Sequence, residues 1–224
     1  MAARKIDVLV VRWYELRTVG DIVGRWYRAA EEHLPEAVPV RFGESEPLRG
    51  RGGRSEVQAV WAAADSLLFL TGRSPVHHIS FDAGPGIAPG PVAVHSMQVE
   101  LGADDERVRR FARAVAGDNS FYVSASVAGG MTLERKTLWG PAERREEPYL
   151  APLGEWLGLP PSPPAWCWFG PPYVRKTGLT FYAEGPWVPE RLRARLGEEE
   201  PARRRAAWLP RGLRRSPWRL LAGG

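Results

Sequence analysis

A mostly antiparallel sheet with helices packed on it, an α+β fold, is what this 224-residue chain predicts. Three observations lead there. Strand-like and helix-like segments are mixed along the chain rather than segregated. Several strand-like segments are sequence neighbours separated only by glycine- and proline-rich turns, the arrangement of antiparallel hairpins. The positive charge is confined to one end: from Glu190 onward ten arginines face four glutamates, so the preceding residues carry a net −1 of the total +5. The plan is a single α+β domain over residues 1–187 and an Arg-rich C-terminal helical arm over 188–224.

The elements follow in order. Residues 7–13 are nearly continuous in apolar character, the pattern of a buried strand. Thr18-Val19-Gly20-Asp21 resembles a capping box with Asp for Glu, and Ile22, Val23, Trp26, Tyr27, Ala30 and Leu34 follow at helical spacing until Pro35. Residues 39–48 are extended, 49–53 form a glycine-rich loop, and Ser55 is expected to cap a helix carrying Val57, Val60, Trp61 and Ala64. A short strand at 67–70 precedes a long hairpin of 76–82 with 92–101. Asp104 and Asp105 open a third helix with Val108, Phe111, Ala112 and Val115 inward. Phe121, Val123, Ala125 and Val127 then alternate with polar residues as in a half-buried strand, with Ser124 and Ser126 on its solvent face. Residues 131–139 are expected to pair with it across Gly129-Gly130, 149–157 to form a short helix, 179–183 a late strand and 189–196 a helix.

Composition narrows the function classes. The longest aliphatic runs, 8–11 and 67–70, are far short of a membrane span, and no signal-peptide pattern opens the chain. A cytoplasmic protein is expected, without a cofactor and without a membrane partner. The single cysteine, Cys167, excludes an internal disulfide and a cysteine metal cluster, and its place between two tryptophans points to an inert buried thiol. Only three of the 31 basic residues are lysines, and Asn119 is the one asparagine, as a GC-rich coding sequence produces. In the arm, Glu199/Arg203 and Glu200/Arg204 are i,i+4 pairs that stabilise a solvated helix without nucleic acid.

Two sets of residues are candidates for function. His77, His78, Asp82 and His95 come from the two strands of the expected hairpin, and imidazoles with a carboxylate are the donors of a metal or general-base site. Against this, adjacent His77 and His78 point to opposite faces of a regular strand, and His95 shares its face with Met97 and Val99 as a core residue does. The second set lies in residues 159–174, where six prolines and four aromatics surround Gly170. Proline fixes φ and withholds a donor, so residues 166–169 form at most a short or edge strand. Alternation sends Trp166 and Trp168 to one face, with Trp168 inward. At least one of Trp166, Phe169 and Tyr173 is expected to be partly exposed, beside Arg175 and Lys176.

Two segments resemble bacterial polymorphic-toxin and type VI secretion immunity families. One is 39–48, in which Phe42-Gly43 is followed by Glu46-Pro47, between a first helix and a helix containing a tryptophan, here Trp61. The other runs from Leu159-Pro160 through Trp166, Trp168-Phe169-Gly170, Tyr173-Val174 and Gly178. The doubled prolines at 163–164 and 171–172 and the basic arm depart from the family pattern. The resemblance implies a non-enzymatic α+β protein that binds and neutralises a cognate toxin. The partner-binding candidates are then Arg41, Glu44, Glu46, Trp166, Phe169, Tyr173 and Arg175. A metal- or histidine-dependent hydrolase using His77, His78, Asp82 and His95 is the alternative, and nucleic-acid binding through the arginine arm a third. Ten tryptophans suit either a core or a binding surface, and Trp13, Trp26, Trp61 and Trp168 are assigned to the core.

Overall fold

The computed structural model describes residues 3–16, 20–82, 92–102, 105–134, 137–140, 150–151, 155–156, 165–169 and 182–183. The fold is α+β, with every ladder antiparallel. At its centre is β1 (Arg4–Leu16), flanked by β5 (Val92–Glu100) and β6 (Ser120–Glu134). Beyond β5 lie β4 (Val76–Asp82), β3 (Leu67–Thr71) and β2 (Arg41–Gly43); beyond β6 lie β10 (Trp166–Phe169) and β11 (Tyr182–Ala183). The far end of β6 pairs with β7 (Thr137–Trp139). The continuous apolar run in β1 has a reason: Leu9, Val11 and Trp13 enter the main core, while Ile6, Val8 and Val10 enter a second, smaller core on the opposite face.

Helices α1 (Ile22–His33), α2 (Arg54–Ala63) and α3 (Asp105–Val115) supply the other side of the main core. Its centre is aromatic. The Trp26 ring meets Trp13 at 5.4 Å, Phe81 at 5.0 Å and Phe111 at 4.8 Å, all edge-on. Edge-on geometry aims one ring's positive rim at the next ring's negative face, worth about 0.5–1.5 kcal/mol per pair beyond burial. Two of the buried indoles are tied to the backbone: Trp13 Nε1 donates to the Ala112 carbonyl at 2.8 Å and Trp26 Nε1 to Ala37 at 2.9 Å. Trp168 is buried as expected, whereas Trp61 is only partly buried against the core edge.

Several local expectations are corrected. The cap of α1 is Asp21, whose carboxylate accepts from the Gly24 N–H at 2.7 Å; it is closer to the first turn than Thr18. Helix α2 starts at Arg54, so Ser55 sits inside the first turn, and the Glu56 carboxylate accepts from the Gly53 N–H at 2.8 Å. Gly129-Gly130 is a bend within β6, not a hairpin turn. Gly130 takes φ +67°, where only glycine is unstrained, and its N–H is held by the Asp7 carboxylate at 2.8 Å. The bend lets Met131 and Leu133 reach Ile6, Val8 and Val10, and residues 132–134 pair with β7. Ser124 is buried rather than solvent-facing, because β1 and β10 flank it on both sides. The helix expected over 149–157 is instead a short pair of strands, β8 (Leu150–Ala151) with β9 (Glu155–Trp156), consistent with Pro152 and Gly154 interrupting any helix there. The arm, 188–224, lies outside the described residues, as does most of 179–183.

Candidate functional site

Strand β2 ends the sheet on its side and would present a bare edge. The chain covers that edge itself. Phe42 and Gly50 exchange two main-chain hydrogen bonds, at 3.2 and 2.8 Å, and the buried Phe42 ring anchors the ribbon between them. A Cβ at position 50 would stand 2.5 Å from the Phe42 ring, so the closure requires glycine. Arg41 at the start of β2 and Glu44, Glu46 and Arg49 on this fixed ribbon are exposed. Three of the partner-binding candidates are therefore displayed together.

The second group of candidates is arranged otherwise. Trp166 and Trp168 share the helix-covered face, as alternation predicts, with ring centroids 5.0 Å apart. Strand β10 is short but not outermost, since β11 pairs with its far side. Trp166 is 1% exposed and forms part of the core rather than a projecting ridge. The side chain of Phe169, together with Tyr173 and Arg175, lies outside the described residues.

The histidines do not converge. A register shift between Val76 and His78 inserts His77 as an extra residue in β4. The expected opposition of His77 and His78 is thereby lost, and both lie on the face away from the helices. His77 Nε2 meets the Glu100 carboxylate at 3.2 Å, itself held by Arg4 at 2.7 Å, and the His78 ring lies 5.8 Å from Phe69. Burial pushes the His78 imidazole below its usual pKa, and the Glu46 charge offsets part of that shift. His95 faces the helices, edge-on to Phe81 at 5.9 Å. Its Nδ1 accepts from the Asp82 main-chain N–H at 3.1 Å, which leaves the ring hydrogen on Nε2. Among the described residues no three His, Cys, Asp or Glu side chains are grouped to hold a metal.

His95 Nε2 instead points at a cluster that the motif reading overlooked. Glu15, 5% exposed, accepts from Arg25 Nη2 at 2.6 and 2.7 Å and from Ser120 Oγ at 2.6 Å, with His95 Nε2 at 3.7 Å. Arg25 also donates to the Val115 carbonyl at 2.8 Å, so the cluster ties β1 and α1 to the end of α3. Burial alone would raise the Glu15 pKa. The facing His95 ring, the charge of Arg25 and the Ser120 hydrogen bond outweigh it and hold the carboxyl at about 2. An ionised, internally matched carboxylate of this kind is an architectural tie, already spent on the fold. The available signal was Glu15 at an inward-facing position, two residues after Trp13.

No protein-family model and no curated protein sequence matches the chain. Among solved structures, the T6SS protein PA0821 of Pseudomonas aeruginosa resembles it at 13% identity with a TM-score of 0.36. The match covers 56% of this chain and 42% of that one, less than half of the other protein's length. A likeness of this size assigns neither a family nor an activity.

Proposed function

We propose that this chain is a non-enzymatic protein-binding protein of the immunity type, which neutralises a cognate toxin by direct docking. One observation carries the reading: β2 and the ribbon after it present Arg41, Glu44, Glu46 and Arg49 on a backbone that Phe42 and Gly50 already fix. A fixed backbone loses little entropy on docking, and charges of both signs set the register and speed of encounter. The cognate-toxin part of the reading rests on the motif resemblance, whose first segment, 39–48, is this ribbon. Co-expression with the toxin domain encoded by an adjacent gene tests it. The wild-type chain should co-purify with that domain, and Arg41→Glu/Glu46→Arg should bind it at least about tenfold more weakly. A wild-type chain that fails to retain the domain, or a charge-reversed chain that retains it equally well, contradicts the reading.

A further inference from the structure

The Phe42–Gly50 bridge sorts the charges of β2 and its ribbon into two groups. At the base, next to the bridge, stand Arg41 on β2 and Arg49 and Arg51 on the returning chain. At the tip, in the turn between the two bridged residues, stand Glu44 and Glu46. All five are exposed, and none forms an ion pair or hydrogen bond with a described residue. Two acids near the start of α2 are engaged elsewhere. The Glu56 carboxylate accepts from the Gly53 N–H at 2.8 Å and from the Ser55 hydroxyl at 3.0 Å. The Asp21 carboxylate accepts from the Gly24 N–H at 2.7 Å and lies 3.4 Å from Arg54. The base therefore keeps its positive charge and the tip its negative charge, on a backbone held by two main-chain hydrogen bonds.

Two charges of opposite sign at fixed places restrict what can dock. A nucleic acid, negative along its whole backbone, gains at the arginines and is repelled at the glutamates. A uniformly acidic protein surface meets the same conflict. A protein surface carrying both signs at matching places gains at each end, and the wrong orientation sets like charges against each other. We propose, on the basis of docking through this ribbon, that the partner surface is bipolar: a protein segment that sets a carboxylate against the arginine base and an ammonium or guanidinium against the glutamate tip.

Calorimetric titration of the adjacent-gene toxin domain into the full-length chain, with two neutralised variants, is the test. Arg49→Gln/Arg51→Gln and Glu44→Gln/Glu46→Gln should each bind about fivefold more weakly than wild type, with a shallower salt dependence. The sign at the tip decides. A uniformly acidic partner requires Glu44→Gln/Glu46→Gln to bind more tightly, and that result overturns the proposal. A short DNA duplex that binds the wild type more tightly than the toxin domain does overturns it as well. Wild-type affinity in either neutralised variant, while Arg41→Glu/Glu46→Arg still weakens binding, overturns the bipolar partner and leaves docking through the ribbon standing. A wild-type chain that retains no toxin domain removes both. Should a double variant fail to fold, Arg51→Gln and Glu44→Gln alone give the same signs.

Discussion

The inner end of β1 and the ribbon beyond β2 use charge in opposite ways. Glu15 is buried, and Arg25 and Ser120 hydrogen-bond its carboxylate from inside the chain, with the His95 ring facing it. Glu44 and Glu46 are exposed and form no ion pair or hydrogen bond with a described residue. The first arrangement fixes the fold and offers nothing to a ligand. The second costs the fold little and leaves its charges for something outside. The contrast separates architectural polarity from polarity available for recognition.

The largest expected effect is at the buried end. Glu15→Ala removes the acceptor of Arg25 and Ser120 at once and leaves a mostly buried guanidinium unpaired. It should destabilise the protein by about 3–5 kcal/mol in urea unfolding. A loss under about 1 kcal/mol breaks the comparison, because the cluster would then not hold the fold.

Acid tests the same cluster without a mutation. The Glu15 carboxyl is lowered from 4.5 to about 2 in the folded protein. The unfolded state therefore binds the extra proton first, so this stabilisation is fully present above pH 4.5 and is lost as pH falls toward 2. It amounts to about 3 kcal/mol, at about 1.36 kcal/mol per pH unit. Glu15→Gln should flatten that part of the stability–pH curve; an unchanged slope would assign the acid sensitivity elsewhere.

How much of this was legible follows the same division. Strand β1 could be read from Val8 to Trp13 because both faces are buried, and α1 from the spacing of Ile22, Trp26 and Leu34 ahead of Pro35. The β4–β5 hairpin followed from its flanking turns. Features that depend on an inserted or bent residue were not readable. The extra residue at His77 shifts a side-chain period of two, and Gly129-Gly130 has the composition of a turn whether the chain reverses or bends. Glu15, His95 and Ser120 are far apart in sequence, and only the pairing of β1 with β5 and β6 brings them together, while Arg25 reaches them from α1. In β2 and its ribbon, Arg41, Glu44 and Glu46 were named as candidates, but not the Phe42–Gly50 closure beside them.

A smaller effect links the ribbon to the far face of β4. His78 is held below its ordinary 6.5 by burial, with Glu46 opposing the shift. The unfolded state is protonated first, so the His78 contribution is fully present above pH 6.5 and is lost as pH falls toward the folded value. Glu46→Gln removes the opposing charge and should steepen that loss, and His78→Phe should abolish it. A Glu46→Gln curve that overlays the wild type would place the ribbon too far from the sheet face to act on it.

The smallest expected effect on stability belongs to Arg41→Glu/Glu46→Arg. Both positions are exposed, so the midpoint in urea should stay within about 0.5 kcal/mol of wild type. That near-silence makes the pair suitable for the most direct measurement: calorimetric titration of the adjacent-gene toxin domain into wild-type and charge-reversed protein at low and high salt. Docking through the ribbon predicts at least about tenfold weaker binding by the variant and a shallower salt dependence, with the urea midpoint unchanged. Equal affinity and equal salt dependence in the two proteins would contradict it.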